Sequence, residues 1–275
     1  MGQALPRNLG AVVTGAGSGL GRALADALAR QGARLVLSDI DAEALARTAA
    51  ELRREGVEVH AEVCDVARWD EVERLAELAD LHLGQVDLLC NNAGVAVGGS
   101  FESVSLEDWE WIVGVNLWGV VHGCRAFLPK MRERGEGWVL NVASAAGLLS
   151  APSMSAYNVT KAGVVALSET LHAEYKAHGV HVGVLCPTFF RTKILDRARG
   201  ETDPELQRAV RRWMDRSKVQ APEVAAAALE GMARRELYVV PMRDGRLMWR
   251  LKRLSPERFH GLLATRGIDR FVRRR

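Results

Sequence analysis

Short apolar runs alternate along this chain with helix-length amphipathic stretches. Gly10–Thr14 reads as a strand and Leu20–Gln31 as a helix, followed by strand Arg34–Ser38, helix Ala42–Glu55 and strand Val57–Val63. Trp69–Leu83 is helical, Val86–Cys90 is a fourth strand, and a long helical stretch runs from Leu106 to about Arg134. Strand Trp138–Val142, helix Tyr157–His178 and strand His181–Leu185 come next. Helices near Pro204–Lys218 and Pro222–Arg234 lead to a last strand, Leu237–Val240. Strands that alternate with helices need crossover connections, so the pattern predicts an α/β fold, a doubly wound parallel sheet with helices on both faces. Ligands of such sheets bind outside the carboxyl ends of the strands, where the winding reverses.

Composition changes this picture little. Of the 275 residues, 48% are hydrophobic, enough to bury a sheet on both faces, and no linker-like tract or fixed-period repeat divides the chain. We therefore expect one catalytic domain over residues 1–242. The four cysteines, Cys64, Cys90, Cys124 and Cys186, lie far apart with no zinc spacing, which fits a reduced, cytoplasmic protein. The N-terminus lacks a basic-then-apolar signal pattern, and Pro6 stands where lipidation at Gly2 would want Ser or Thr. No apolar run reaches the roughly 18 residues needed to span a bilayer.

Charge changes it more. Residues 243–275 carry 11 Lys/Arg against 3 Asp/Glu, a net of +8, whereas the other 242 residues carry 26 against 31, a net of −5. This C-terminal extension also carries Leu247, Trp249, Leu251, Leu254, Phe259, Leu262 and Leu263. A basic amphipathic helix of this kind can lie on an anionic membrane surface, which would make the protein peripheral to a membrane. It can equally pack its apolar side on the protein or on a neighbouring subunit. No nucleic-acid motif accompanies it.

Candidate chemistry sits at the predicted strand ends. Gly15, Gly19 and Gly21 lie between the first strand and its helix, where glycines permit a tight turn and let a pyrophosphate approach main-chain N–H groups. Asp39 ends the second strand 18 residues after Gly21, close to the spacing of a carboxylate that accepts ribose hydroxyls in a Rossmann-type site. A carboxylate repels a 2′-phosphate, and neither Ser38 nor Ile40 offers a cation, so NAD is favoured over NADP, although Arg22 could reach the same region. Asp65 either takes the adenine amino group or caps the following helix.

Tyr157 and Lys161 stand four apart on a predicted helix, hence on one face. A neighbouring ammonium favours the phenolate and makes a Tyr a usable proton carrier. Ser144 lies 13 residues earlier and Asn116 falls within the long helix. Alone, Ser144 could cap a turn and Asn116 could be a polar core residue. The seven histidines form no metal-binding pattern, so no metal is expected.

With these residues in place the chain resembles the short-chain dehydrogenase/reductase family across about Gly10 to Met242, in its shorter single-domain branch. The motifs are Thr14-Gly-x-x-x-Gly-x-Gly21, Asn91-Asn-Ala-Gly94, Asn116, Ser144, Tyr157-x-x-x-Lys161, and Pro187 with Thr192. The resemblance implies that Asn91 to Gly94 support the sheet and line the adenosine side, and that Asn116 holds a water linking Lys161 to solvent. It implies that Ser144 orients the substrate oxygen, Tyr157 transfers the proton, and Lys161 also holds the nicotinamide ribose. The cofactor set it implies is Gly15, Ser18, Gly19, Leu20, Gly21, Asp39, Asp65, Val66, Asn92, Ala93, Gly94, Tyr157, Lys161, Pro187 and Thr192. Two departures stand out: Thr188 follows Pro187 where relatives often have Gly, and Ala143 precedes Ser144 where they often have Ser.

The expected activity is an NAD(H)-dependent oxidoreductase that interconverts an alcohol and a ketone or aldehyde. Phe189, Phe190, Ile194, Leu195, Trp213 and Met214 imply an apolar lid over residues 188–218 and a hydrophobic small-molecule substrate. Apolar positions on the long helices imply a homodimer or homotetramer. A non-catalytic nucleotide-sensing regulator on the same fold is the alternative. It has no need of Ser144, Tyr157 and Lys161 together.

Overall fold

In the computed structural model, residues 5–200 and 204–266 are described. Expectations for Gly2, for the lid's residues 201–203 and for the basic end at 267–275 lie outside them. Seven strands form one parallel sheet in the order β3-β2-β1-β4-β5-β6-β7. They are β1 (Gly10–Thr14), β2 (Arg34–Asp39), β3 (Val59–Val63), β4 (Leu88–Asn91), β5 (Gly137–Val142), β6 (Val180–Leu185) and β7 (Tyr238–Val239). The winding reverses between β1 and β4, which opens a crevice at their carboxyl ends.

Alternation along the strands builds two cores. Ala11, Val13, Leu35 and Leu37 face one side, against α1 (Gly19–Arg30), α2 (Ala42–Arg54) and α9 (Ala221–Ala233). Val12, Val36, Leu89 and Val139 face the other, against α3 (Trp69–Leu83), α5 (Gly119–Arg134) and α7 (Ser155–Lys176). Fully buried leucines such as Leu24, Leu28, Leu75 and Leu128 stabilise these layers by about 1.5–3 kcal/mol each.

Three features depart from the pattern read along the sequence. The long helix is not uniform: α4 (Leu106–Val113) passes into α5 through a π turn, Gly114–Trp118. By length and composition Leu106–Arg134 could cross a membrane, contrary to the expectation that no segment would, yet its residues Val120, Cys124, Phe127 and Leu128 pack on the sheet. A five-residue helix, α6 (Ala145–Leu149), follows β5, too short to leave a periodic signature. The segment read as a lid holds an unforeseen single helical turn at Lys193–Leu195 before α8 (Pro204–Arg216), which matches the helix expected there.

The C-terminal segment folds into α10 (Arg243–Leu254) and α11 (Pro256–Arg266). Phe259 and Leu263 are buried in the second core, and Met248 and Trp249 pack partly against it. Leu247, Leu251 and Leu254 remain exposed at 60%, 44% and 82%, so this element divides its apolar residues between the core and the surface.

Candidate active site

The crevice is built from the β1–α1 turn upward. Gly15 has φ +67°, and a Cβ there would lie 2.8 Å from the Ala93 Cα; one on Gly21 would meet the Gly15 carbonyl oxygen at 2.0 Å. Only glycine fits either position. Ser18 is the N-cap of α1 without a side-chain cap bond, and no acidic residue stands in the first turn. The N-terminal N–H groups and the positive end of the helix dipole are thus offered to an anion. Leu20, buried in that first turn, anchors the helix to the sheet.

Asp39 closes the other side of the turn. Its Oδ2 accepts from Gly17 N at 2.8 Å and its Oδ1 from Asp41 N at 2.9 Å. Arg22, which could have reached the same region, instead pairs with Asp26 and Glu51 across α1 and α2. No cation is therefore held beside Asp39 by this helix. Asp65 serves a local turn, its Oδ1 accepting from Ala67 N at 3.0 Å. The next residue, Val66, packs against Gly119 just beyond the π turn.

The loop after β4 is pinned to β1. Thr14 Oγ1 accepts from Asn92 N and Ala93 N at 3.0 and 3.1 Å, and Asn92 Nδ2 donates to the Thr14 and Gly15 carbonyls at 2.8 and 3.2 Å. Thr14 opens the glycine motif, but nothing in the sequence marks it as the clamp between the two loops. Asn116, in the π turn, accepts from Val95 N at 2.8 Å and donates to Val95 O at 2.9 Å and to Thr160 Oγ1 at 3.3 Å. Its side chain thus holds the exit of β4. A Cβ on Gly94 would lie 3.3 Å from Asn116 Oδ1 and 3.5 Å from Lys161 Nζ, so the glycine leaves that approach open.

Ser144, Tyr157 and Lys161 come together at the ends of β5 and α7. Ser144 is the N-cap of α6, its Oγ accepting from Ala146 N at 3.1 Å, and its hydroxyl is close enough to Tyr157 to act on the phenol. Lys161 is buried, with Nζ 5.9 Å from the Tyr157 ring centroid and donating to the Val142 carbonyl at 2.9 Å. Burial lowers the lysine pKa to about 8. The sequence led us to expect a phenol acidified by this ammonium. In the chain itself burial pushes the Tyr157 pKa up, and the opposing pull comes from Ser144. The difference is physical: burial penalises the phenolate, and the ammonium stands 5.9 Å from the ring centroid with one of its three donors on a backbone carbonyl.

Pro187 lies two residues past β6, its carbonyl accepting from Ala145 N at 2.9 Å. Thr192 caps the lid's short turn through Ile194 N at 2.9 Å and lies over Gly19, whose added Cβ would be 3.8 Å away. The segment after Pro187 is held to the rest of the protein on two sides. Arg197 pairs with Asp41 beside the Asp39 corner, while Arg199 stacks on Trp111 at 4.0 Å and pairs with Asp108 at 3.7 Å. Phe189 packs on Trp213 with ring centroids 5.2 Å apart. The Asp65 carboxylate, expected near the adenine, is partly spent on its own turn. Among the described residues no cluster of metal-ligating side chains occurs.

The comparisons with known proteins agree with this geometry. The family model described as short chain dehydrogenase matches residues 10–203. An oxidoreductase named SadH from Mycobacterium tuberculosis is 36% identical over 267 residues, 95% of each chain. The 1-deoxy-11-beta-hydroxypentalenate dehydrogenase of Streptomyces exfoliatus is 37% identical over 243 residues, 87% of this chain and 85% of its own. A short-chain dehydrogenase/reductase from Burkholderia phymatum, solved in complex with NAD, superposes with TM-score 0.86 at 41% identity, covering 91% of this chain and 95% of that one. One from Sphingobium yanoikuyae, solved with NADPH, gives 0.76 at 31%, covering 93% and 95%. A Rossmann-type sheet with a nucleotide crevice defines a class of dinucleotide-dependent oxidoreductases. Within that class, this chain belongs to the short-chain dehydrogenase/reductase family.

Proposed function

We propose that this protein is an NAD(H)-dependent oxidoreductase that interconverts a hydrophobic alcohol and its ketone or aldehyde. One observation carries the reading: a glycine cradle, the Asp39 carboxylate and the Ser144–Tyr157–Lys161 cluster meet in one crevice at the strand ends. The turn fits a dinucleotide, since Gly15 and Gly21 let it close tightly, Gly19 leaves open space at the start of α1, and α1 offers N–H groups without a side-chain cap. Main chain from Gly15 through Ser18, Gly19, Leu20 and Gly21 would hold the pyrophosphate, and Asp39 the adenosine ribose. Asp65 and Val66 would border the adenine, and Asn92, Ala93 and Gly94 the far side of the adenosine. Lys161, Tyr157, Pro187 and Thr192 would border the nicotinamide half. Bound there, NAD supplies a hydride acceptor for the carbon that bears the hydroxyl.

The chain's own residues handle the proton. In oxidation, Tyr157 as phenolate takes the hydroxyl proton from the substrate. Ser144 donates to the substrate oxygen as its bond order rises. Lys161, buried and cationic, favours the phenolate once its charge acts across the site, and it passes the proton onward. In reduction the same groups act in reverse.

The lid, read as residues 188–218, favours an apolar substrate through Phe189, Trp213 and Met214, while Phe190 anchors it in the first core. The relatives named for a hydroxypentalenate and for D-threitol support a hydroxyl-bearing substrate. Residues 1–242 form the catalytic domain in this reading, and residues 243–275 an extension that can meet an anionic membrane. Exposed Trp118 and Val159 on the long helices suit a homodimer or homotetramer. Four buried, unpaired cysteines suit a reducing cytoplasm.

Tyr157→Phe tests the assignment. The ring stays and the proton carrier goes, so NADH should bind near wild-type affinity while turnover falls by at least about 10²-fold. A variant that kept most of its kcat would end the reading.

A further inference from the structure

We propose that Lys252, in the C-terminal extension, is a positioning residue for Ser144, acting through the short helix that Ser144 caps. The inference rests on the assignment of Ser144 and Tyr157 made above. Helix α6 has only five residues, far below the length at which a helix holds itself together. Its terminal carbonyls need partners from elsewhere. Lys252 Nζ supplies one, donating to the Leu148 carbonyl at 2.7 Å and reaching Ser150 Oγ at 3.3 Å. Ser150 closes the helix at φ +55°, a left-handed conformation that serine adopts at a cost. This end of α6 is thus weak in itself and clamped from outside.

Burial of Ala145, Leu148 and Leu149 in the second core and two main-chain contacts also fix α6. Ala145 N donates to the Pro187 carbonyl at 2.9 Å at its start. In its middle Gly147 lies on the main chain of Lys161, so close that a Cβ would come within 2.5 Å of the lysine carbonyl carbon. With the Gly147 contact as the pivot, a shift at Leu148 tilts the helix and loads the Ala145–Pro187 bond beside Ser144. The whole rod is only about 7 Å long, so displacements at its two ends are comparable. A displacement near 1 Å is enough to weaken a catalytic hydrogen bond severely.

The cations of α10 divide by direction. Arg243, Arg246, Arg250 and Arg253 are exposed, whereas Lys252 is half-buried and turned toward α6. Trp249, whose ring lies 4.7 Å from that of Tyr238, walls the same recess. Burial lowers the Lys252 pKa, a cost that a mere surface lysine would not carry.

Three variants test this: Lys252→Met, Lys252→Arg and, as a charge-matched control, Arg250→Gln. Lys252→Met should lower kcat about 10-fold or more with KM for NAD nearly unchanged. Because the Ser144 hydroxyl lowers the Tyr157 pKa, the acidic limb of the pH–rate profile for alcohol oxidation should move to higher pH. In the protein without cofactor, amide hydrogen exchange at residues 145–150 should quicken. Lys252→Arg should restore most of each property, and Arg250→Gln should match wild type. If Lys252→Met does not fold, Lys252→Gln, one bond shorter, takes its place with the same readouts. An unchanged pH profile together with unchanged exchange at 145–150, whatever the melting temperature, overturns the proposal. Ser144→Ala is run alongside. Full activity there would remove the assignment of Ser144 itself, whereas an inactive Ser144→Ala beside a wild-type-like Lys252→Met would remove only the role given to Lys252.

Discussion

Asn91 donates from Nδ2 to Asn141 Oδ1 at 2.9 Å, a side-chain bond between paired positions of β4 and β5. Asn141 passes the chain on, donating to Ser168 Oγ at 3.0 Å, which in turn donates to the Val164 carbonyl at 2.7 Å. All three side chains are buried, and Gly123 leaves the room that Asn91 occupies. The network ties the sheet to α7 beneath the Ser144–Tyr157 site. Asn141→Leu would leave the Asn91 amide without its main acceptor, so unfolding in urea should show a loss of about 1–3 kcal/mol. An unchanged midpoint would mean that water or a shifted rotamer replaces the bond.

Cofactor choice should turn on Asp39 and its neighbour. Ile40 is 60% exposed, so an arginine there can swing freely toward a 2′-phosphate. Asp39→Ala with Ile40→Arg should raise the NADP:NAD ratio of kcat/KM on the order of 10–100-fold, the worth of one or two charge-assisted hydrogen bonds. Asp39 also holds Gly17 and Asp41, so the swap should lower the melting temperature slightly. A wild type that prefers NADP in paired Michaelis curves would contradict the reading of this corner.

His181 should shape the acid side of the stability curve. Burial, with His172 and Arg235 adding repulsion, lowers its pKa to about 4 from an ordinary 6.5. The unfolded chain therefore binds a proton that the folded chain refuses between those values. Stability should fall as pH drops through that window, and the fall should be shallower in His181→Phe. Lys161 works on the alkaline side with the same sign. Its folded pKa of about 8 lies below the ordinary 10.5, so its share of stability should rise between those two values and vanish in Lys161→Met. Melting curves from pH 4 to 10.5 read both, and parallel curves for variants and wild type would refute them.

Two exposed faces call for different partners. Trp118 and Val159 project from the long helices and should be covered in an oligomer, which light scattering at micromolar concentration would register as twice or four times the monomer mass. On α10, Leu247, Leu251 and Leu254 form one line, with Arg243, Arg246, Arg250 and Arg253 beside it. A like-charged copy is a poor match for that line, whereas an anionic bilayer satisfies both the leucines and the arginines. The protein should co-sediment with anionic vesicles at low salt and release at high salt, and Leu251→Asp should abolish binding. Sedimentation equal on zwitterionic vesicles, or none at low salt, would remove the membrane from the account.

The strand and helix order was legible because it rests on periodicity, and the parallel sheet follows from alternation alone. Gly15, Gly21, Asp39, Tyr157 and Lys161 were legible because their chemistry demands particular side chains at particular spacings. Less legible were the features that arise from contacts between distant segments. The Thr14 clamp on the Asn92 loop, the Gly147 approach to Lys161 and the Lys252 bond to α6 join residues with no periodic relation. The commitment of Lys161 to the Val142 carbonyl was hidden for the same reason, since helix spacing places a lysine near a tyrosine but does not say where its protons go. Asp65 had two readings in sequence; it closes a turn through Ala67 N, while the N-cap of the following helix is Arg68.

The π turn at Gly114–Trp118 has a consequence for the phasing of the chain. A π turn amounts to one extra residue inserted into an α-helix, and one residue is worth about 100° of rotation. The segments on either side therefore carry amphipathic patterns that are out of step by that angle. Before the turn, Ile112 packs with Val97 and Ala156 near Tyr157; after it, Val120, Phe127 and Leu128 pack on the sheet. A single-residue deletion inside the turn would restore one continuous phase. It would then rotate either the wall of the crevice or the backing of the sheet out of register, leaving a longer and more regular helix in a less functional protein.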